Sequence, residues 1–261
     1  MTEDQTWYDI QKEAQEESLK EPLLTSYLYS TIVTHDSLEK SLAFHLAHKL
    51  AKIHFQPISM MELLYSAYED DFTIRAAIRA DLNAIKERDP ACKSFLQPIL
   101  NFKGFHALQS FRAANWLWKN DRKQLALFLQ SRIAEVFNLD IHPAATVGRG
   151  ILLDHATGIV VGETAVIGNN VSILHEVTLG GTGKDSGDRH PKIGDGVLIG
   201  AGAKILGNVK IGECAKIGAC SVVLTDVPAH STAAGVPAKV VGETKCDQPA
   251  LEMNHNIDYF L

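Results

Sequence analysis

The chain has 261 residues, of which 46% are hydrophobic, and it carries a formal net charge of -6 with an isoelectric point near 6.0. This size allows one large domain or two modest ones with a buried core. The acidic balance, without runs of Lys or Arg, argues against nucleic acid as a partner. No stretch approaches the roughly 20 apolar residues that cross a bilayer. Without a signal-peptide pattern, and with four cysteines lacking CxxC spacing, we expect a cytoplasmic protein with reduced thiols and no membrane partner.

Residues 1–138 repeat apolar positions at helical spacing. One run begins at Ser37 and places Leu38, Leu42 and Leu46 on one stripe. Another begins near Asp71 and stops at Asp89, because the residue before Pro90 resists helical geometry. The first half is therefore predicted to be an α-helical domain of about six to eight helices.

From Ile141 onward the apolar pattern changes to a period of six residues. Twelve blocks, from Ile141 to Val223, open with Ile, Val or Leu, and 11 of them carry Ala, Ser, Thr or Val at the fifth position. In a triangular solenoid each short strand supplies one large aliphatic residue to the axis, and each corner needs a small residue beside it. An evenly spaced β-sandwich is the alternative, but twelve matches favour the solenoid. The sequence therefore predicts an α+β protein whose residues 139–243 form a left-handed parallel β-helix of about four coils.

Two interruptions break the six-residue period. Eight residues instead of six separate Leu153 from Val161, and fourteen separate Leu179 from Ile193. The longer insertion extrudes a glycine-rich loop that ends in Asp188, Arg189 and His190. Loops on rigid scaffolds are common places for functional sites. We therefore expect the chemistry of the protein at these two points.

Polar residues collect around both interruptions. His155 follows Asp154 at a corner, and Asp140 lies fifteen positions earlier, near the length of one coil. A carboxylate stacked beneath the imidazole would orient it, and a histidine near neutral pKa can take a proton from an alcohol. Arg189 offers a planar fork for a carboxylate. These residues leave simpler alternatives open: His155 capping a turn, and Arg189 as a solvated loop charge.

A resemblance to a known family rests on six segments of this sequence. They are Lys103-Gly104-Phe105-His106-Ala107-Leu108-Gln109, Asp140-Ile141-His142-Pro143-Ala144-Ala145, Leu153-Asp154-His155-Ala156-Thr157-Gly158, Gly180-Gly181-Thr182-Gly183-Lys184, Gly187-Asp188-Arg189-His190-Pro191-Lys192-Ile193 and Ala234-Gly235-Val236-Pro237-Ala238-Lys239. Together they resemble the serine O-acetyltransferases over nearly the whole chain. Hexapeptide repeats alone would indicate only the wider acyltransferase superfamily.

The resemblance implies an enzyme that moves the acetyl group of acetyl-CoA to the hydroxyl of L-serine, the first step of cysteine biosynthesis from serine. It implies that His155 is the general base, oriented by Asp140. Asp89 and Asp154 would bind the serine amino group and Arg189 the serine carboxylate, with His190 assisting in the same pocket. From the residues alone, Asp89 is only a helix terminator.

The resemblance also implies the partners. The site would lie between neighbouring subunits of a homotrimer, with two trimers joined through the helical domains, and L-cysteine would be a feedback inhibitor. Acetyl-CoA would lie as a co-substrate in the groove between adjacent solenoids, with no tightly bound cofactor and no metal. The implied contacts are Gly181, Ala201, Lys216, Ala219 and, near the CoA phosphates, the segment from Gly235 to Lys239.

The C-terminal tail, residues 244–261, lies beyond the repeats, and its acidic composition predicts a mobile segment that buries little surface. Family members often end in isoleucine, whose side chain and carboxylate enter the active site of O-acetylserine sulfhydrylase, whereas this chain ends in Leu261. Leucine keeps the carboxylate and an aliphatic group, so the resemblance implies a sulfhydrylase complex through the tail.

Three other functions fit the solenoid. An acyltransferase for amino sugars would not need the pair of Asp89 and Arg189 as an amino-acid clamp. A metal-dependent carbonic anhydrase would need three converging histidines, for which His155, His175 and His190 are available. If the protein were a non-catalytic scaffold, polar residues would not be expected to collect at both interruptions. Release of CoA thiol with several acceptors would separate these functions.

Overall fold

The helical region precedes the solenoid in a computed structural model that describes residues 4–183, 186–244 and 246–256. Eight α-helices lie in the described residues before the first strand, with a 3-10 turn at Pro22–Leu24 and a π turn at Tyr29–Val33. The helices are α1 (Gln5–Lys20), α2 (Thr25–Leu28), α3 (Leu38–Leu50), α4 (Pro57–Asp70), α5 (Phe72–Arg88), α6 (Leu96–Asn101), α7 (Lys103–Lys119) and α8 (Lys123–Phe137).

Helix α5 illustrates why these segments are helical. Asp71 caps its first turn by accepting a hydrogen bond from the Thr73 backbone N–H at 2.8 Å. Its apolar stripe, which includes Ile78 and Leu82, is fully buried. The helix ends at Asp89, which has extended backbone angles, in agreement with the proline that follows it.

The solenoid has three parallel sheets, which form the faces of a triangular prism. The first face contains β1 (Asp140–Ile141), β4 (Val160–Val161), β7 (Thr178–Gly180), β10 (Lys204–Leu206) and β13 (Val222–Val223). The second contains β2 (Thr146–Val147), β5 (Val166–Ile167), β8 (Lys192–Ile193) and β11 (Lys210–Ile211). The third contains β3 (Leu152–Leu153), β6 (Ser172–Ile173), β9 (Leu198–Ile199), β12 (Lys216–Ile217), β14 (Ser231–Gly235) and the antiparallel β15 (Ala238–Glu243). The predicted left-handed β-helix is confirmed.

The axis of the prism is filled by the residues that set the six-residue period. Ile141, Ile173 and Ile205 open their blocks and are buried, and the small fifth residues Ala145 and Ala203 are completely buried. One large and one small apolar residue per strand therefore fill the interior. We call the turns after the first, second and third faces the first, second and third corners.

The two insertions shift the register of the coils as the spacing predicts. Asp140 pairs with Val160, 20 residues later, whereas the next step on the same face joins Val160 to Thr178, 18 residues later. The extra pair of residues enlarges the third corner of the first coil. The longer insertion replaces the first corner between β7 and β8, and its residues 184 and 185 lie outside the described ranges.

Helices α5 and α7 dock directly on the solenoid. On α5, the buried Asp81 accepts a hydrogen bond from the Ile151 backbone N–H at 2.9 Å and pairs with Arg112 at 2.6 Å. At the start of α7, a Cβ on Gly104 would lie 2.2 Å from the Leu153 carbonyl oxygen, so only glycine allows this approach. The beginning of α7 is thereby held against the enlarged third corner.

The tail differs from the prediction. Pro249–Glu252 forms a short helix, α9, in which Pro249 and Ala250 are buried, and the Ala250 carbonyl oxygen accepts a hydrogen bond from Ser172 Oγ at 2.9 Å. The expectation that the tail buries little surface is wrong for this segment, because Ser172, Gly196 and helix α5 give it a docking surface. The terminal residues 257–261, which carry the predicted sulfhydrylase contact, lie outside the described residues.

None of the helices in the described ranges has both the length and the apolar character needed to cross a membrane.

Candidate active site

The third corner of the first coil projects the imidazole of His155 into solvent. His155 and Ala156 both have left-handed backbone angles, with φ of 55° and 60°, which is an uncommon and strained pair for residues with a Cβ. The His155 side chain is 77% exposed, and its Nε2 lies 3.9 Å from Asp154 Oδ1. Its ring meets the edge of the His175 ring at a centroid distance of 6.0 Å. An exposed imidazole beside a carboxylate is suited to proton transfer.

Asp89 is held next to this corner by the end of α5. Its Oδ1 accepts a hydrogen bond from the Ala91 backbone N–H at 2.8 Å, which orients the carboxylate. Asp89 and Asp154 line one pocket of about 480 Å³. Met253 and His255 of the tail line the same pocket, and burial lowers the pKa of His255 while the Asp154 carboxylate opposes that shift. The two carboxylates therefore face a shared space large enough for a small cation.

The ion pairs of the described residues do not join Asp140 to His155, so the role of Asp140 as the orienting carboxylate stays a prediction. Strand pairing places Val160 beside Asp140, because the two-residue insertion lengthens the first coil. The Asp140 carboxylate accepts a hydrogen bond through Oδ1 from Gln130 Nε2 of α8 at 2.6 Å. Of the described carboxylates, the one within ion-pair distance of His155 is that of Asp154.

Arg189 lies at the first corner, where the long insertion rejoins the solenoid. Its Nη2 pairs with Glu163 Oε2 at 2.7 Å, and its Nη1 donates to the Gly187 carbonyl oxygen at 3.2 Å. The hydrogen bond from Arg189 lowers the pKa of Glu163, so this carboxylate stays ionised. The guanidinium is held by one carboxylate and is still about a quarter exposed, at 27%.

His190 is fixed in one orientation by the preceding coil. Its Nδ1 accepts a hydrogen bond from the Thr164 backbone N–H at 3.2 Å and lies 2.9 Å from the Thr164 hydroxyl. Burial lowers the pKa of His190, and the neighbouring Arg189 and Lys192 charges lower it further. A neutral ring that accepts at Nδ1 carries its proton on Nε2. His190 therefore offers an N–H donor, and glycine at position 162 leaves room for the ring, because a Cβ there would lie 2.0 Å from Nε2.

The predicted CoA contacts lie along two corners and one hairpin. Ala201 and Ala219 belong to the third corner: the Ala201 carbonyl accepts a hydrogen bond from Cys220 N–H, and the His175 carbonyl accepts one from Gly202 N–H. They continue the column that begins with His155 and His175. Gly181 is at the first corner, where a Cβ would lie 3.7 Å from His190 Nε2. Gly235 and Lys239 are exposed in the β14–β15 hairpin, and Lys216 Nζ, on the third face, donates to the carbonyl of Asn256 in the tail.

Within one chain, the predicted site residues thus form two groups. Asp89, Asp154 and His155 surround the third corner, whereas Arg189 and His190 are bound to Glu163 and Thr164 at the first corner. The three histidines considered for a metal site are divided in the same way, since His190 is separate from the His155–His175 pair. Among the described residues, no cluster of three or more His, Cys, Asp or Glu side chains could hold a metal ion.

Sequence reasoning missed the residues that hold this site in place. Glu163 and Thr164 lie 26 residues before their partners Arg189 and His190. That separation equals one coil of 18 residues plus the eight extra residues of the long insertion, so the six-residue period contains the signal. Arg88, buried beside Asp89, has no such signal, because its partners belong to a distant part of the chain.

Two family models match parts of this chain, and curated relatives match nearly all of it. The family described as serine acetyltransferase, N-terminal, matches residues 6–110, and the bacterial transferase hexapeptide repeat matches residues 190–225. Serine acetyltransferase 2 of Arabidopsis thaliana is 54% identical over 253 residues, covering 97% of this chain and 78% of that protein. The Haemophilus influenzae serine acetyltransferase is 52% identical over 255 residues, covering 98% of this chain and 94% of that protein.

Solved structures are similar over the whole fold. A serine acetyltransferase in complex with cysteine superimposes with a TM-score of 0.95 at 52% identity, covering 97% of this chain and 99% of that one. The soybean enzyme complexed with serine gives 0.90 at 61% identity, covering 92% and 98%. The Brucella abortus enzyme in complex with coenzyme A gives 0.91 at 51% identity, covering 93% and 97%.

Proposed function

The chain belongs to the serine acetyltransferase family, and on that premise we propose how its residues divide the work of the reaction. The enzyme transfers the acetyl group of acetyl-CoA to the hydroxyl of L-serine, yielding O-acetyl-L-serine and CoA, and L-cysteine inhibits it. The reaction is the first step of cysteine biosynthesis from serine. The serine hydroxyl must lose its proton as its oxygen attacks the thioester carbonyl carbon, and the CoA sulfur must gain a proton as the C–S bond breaks.

One observation supports a shared active site. The polar residues near His155 and those near Arg189 occupy different corners of the same prism. In a ring of three subunits, the third corner of one solenoid can face the first corner of the next. We therefore propose a homotrimer in which each site takes Asp89, Asp154 and His155 from one subunit, and Arg189 and His190 from its neighbour. The helical domain, residues 1–138, then joins two trimers.

In this site the serine zwitterion is held at both ends. Asp89 and Asp154 bind the ammonium group from their common pocket. The guanidinium of Arg189 binds the carboxylate through its planar fork, and the Nε2–H of His190 donates a hydrogen bond beside it. The serine hydroxyl is thereby directed to the His155 imidazole.

His155 acts as the general base and then as the general acid. Its imidazole removes the proton from the serine hydroxyl during attack on the thioester, and it returns that proton to the departing CoA sulfur. Asp140 orients the imidazole through the carboxylate oxygen that Gln130 does not use. Serine itself supplies the nucleophile, so no acyl-enzyme is needed.

Acetyl-CoA lies in the groove between adjacent solenoids. Ala201 and Ala219 extend the column of the third corner away from His155, which leaves small side chains along the path of the pantetheine. Gly181 of the neighbouring first corner lies opposite them. Lys216 and the hairpin residues Gly235 and Lys239 contact the distal part of CoA, with Lys239 near its phosphates. Acetyl-CoA is a co-substrate, and the enzyme uses no tightly bound cofactor.

Further partners follow from the same family. L-cysteine occupies the serine site, because it carries the same ammonium and carboxylate groups. The terminal residues Asp258 to Leu261, which lie outside the described residues, bind O-acetylserine sulfhydrylase. The four cysteines, all free, suit a reducing cytoplasm as the place of action.

Steady-state kinetics of His155→Ala tests this assignment. We expect kcat to fall by about 10² to 10⁴, the usual contribution of a general base, while the Kd for acetyl-CoA stays unchanged. His230→Ala is a matched control, because His230 is also exposed and also has a left-handed φ, of 54°. Turnover of His155→Ala close to that of the control would place the base elsewhere, with His190 as the first candidate.

A further inference from the structure

The buried side chain of Arg88 lies immediately before Asp89, at the last position of α5. It is only 5% exposed, and it lines the pocket that contains Asp89 and Asp154. A guanidinium this deeply buried usually pairs with a carboxylate. Among the described residues, no carboxylate lies within ion-pair distance of Arg88, and its Nε has no hydrogen-bond partner. Its partners are instead two neutral oxygens.

These neutral oxygens belong to the second coil of the solenoid. Arg88 Nη1 donates to Ser172 Oγ at 3.2 Å, and Nη2 donates to Asn170 Oδ1 at 3.4 Å. Asn170 has a left-handed φ of 54°. Ser172 is the first residue of β6 and is completely buried. The planar fork of the guanidinium thus spans two points that the β-helix holds rigidly.

Helix α5 is anchored to the solenoid at two positions on one face. Asp81 binds the Ile151 backbone N–H, and Arg88 follows seven residues later, which is almost two full helical turns. The Asp81 contact fixes where the helix crosses the solenoid. The Arg88 contact adds a second, polar attachment at the residue that adjoins Asp89.

Stability alone is a weak reason for such a contact. A buried cation with incomplete hydrogen bonding costs free energy through desolvation, and an apolar residue of similar volume is often at least as stable there. Burial lowers the pKa of Arg88, in agreement with such a cost, while the Glu87 and Asp81 carboxylates oppose the shift. The contact is therefore better explained by what it positions than by the stability it contributes.

We propose that Arg88 is a positioning residue for the ammonium subsite, because its bridge to Asn170 and Ser172 holds Asp89 at the pocket that it shares with Asp154. The inference rests on the proposed binding of the serine ammonium by Asp89. Arg88 acts through Asp89, so its effect must depend on the Asp89 carboxylate. That dependence separates positioning from a general contribution to folding.

The test is steady-state kinetics of the full-length enzyme with Arg88→Lys, which keeps the charge but cannot span both acceptors. We expect the KM for serine to rise about tenfold, the equivalent of one lost charge-assisted hydrogen bond, with the KM for acetyl-CoA unchanged. Ser172→Ala, which keeps Arg88 and removes one acceptor, should raise the serine KM in the same direction. Arg75→Lys is the control on the same helix, since Arg75 is exposed and pairs with Glu69 at 3.7 Å.

The double variant that combines Arg88→Lys with Asp89→Asn distinguishes positioning of Asp89 from a purely structural role. In an Asp89→Asn background, Arg88→Lys should have no further effect on the serine KM. Equal losses from Arg88→Lys with and without the Asp89 carboxylate, or a lower Tm with an unchanged serine KM, would show a purely structural role and overturn the inference. If Asp89→Asn alone leaves the serine KM unchanged, the ammonium assignment fails first, and the proposed role of Arg88 fails with it.

Discussion

An active site shared between subunits can be tested by mixing two variants that are both strongly impaired at a serine concentration near the wild-type KM. His155→Ala disables the third corner of a subunit, and Arg189→Ala disables its first corner. Each chain in the mixture carries one defect, so a site built within one chain can never be intact. A site built between neighbours is intact wherever the third corner of an Arg189→Ala subunit meets the first corner of a His155→Ala subunit.

The size of the recovery follows from the positions of the two groups. With equal amounts and random assembly, each interface has an even chance of an intact third corner and an even chance of an intact first corner. About one quarter of the interfaces are then complete, so the mixture should recover about one quarter of the wild-type rate per subunit at that serine concentration. Both parents alone should stay near their own low rates.

Coexpression with two different affinity tags, followed by purification on both in sequence, isolates the mixed assemblies for a CoA-release assay. The control mixture pairs His155→Ala with Asp154→Asn, whose defects both lie at the third corner. Every interface of that mixture has a damaged third corner, so its activity should not recover. Mixed assemblies of His155→Ala and Arg189→Ala that stay inactive would refute the shared site, as would recovery in the control.

Three further predictions follow from the same residues. Arg189→Lys should raise the KM for serine at least about tenfold while leaving the KM for acetyl-CoA unchanged, because a point charge replaces a fork; equal changes in both would show that Arg189 only shapes the loop. L-cysteine should compete with serine in initial-rate plots, and inhibition that survives Arg189→Ala would indicate a separate allosteric pocket. Burial lowers the pKa of His45 to about 4. On acidification the unfolded chain therefore takes up a proton at His45 at a higher pH than the folded chain does. The free energy of unfolding should fall as the pH drops from about 6.5 towards 4, by about 1.4 kcal/mol per pH unit. Denaturant titrations of His45→Gln should show a shallower pH slope than wild type, and parallel slopes would contradict the assignment.

The periodic half of the molecule was readable from the sequence. Each block needs one large aliphatic residue inward and one small residue at the corner, and both requirements act within six residues. The same counting located the enlarged third corner and the extruded loop. It leaves the orienting role of Asp140 as a prediction, because the two inserted residues place Asp140 in register with Val160 and the ion pair of His155 is with Asp154.

The helical half was readable as helices but not as a support for the site. The stripe of α5 and its end at Pro90 follow from local rules. The contact between Arg88 and the second coil does not, because Asn170 and Ser172 lie 82 and 84 residues away. The tail was misjudged for the same reason, since its composition says nothing of the third face on which Ala250 is buried.

The sequence by itself determined the two architectures, the points where the coil is interrupted and, through resemblance, the side chains that we propose to carry the chemistry. Only the tertiary structure decided that those side chains lie at two different corners, that Thr164 and Glu163 bind His190 and Arg189, and that Arg88 connects α5 to the second coil. Periodicity can be read from the sequence because it depends on the positions of apolar residues within one strand or one helix. The division of the site depends on how insertions shift whole coils and where helices dock, and both are set by packing between parts of the chain that are far apart in sequence.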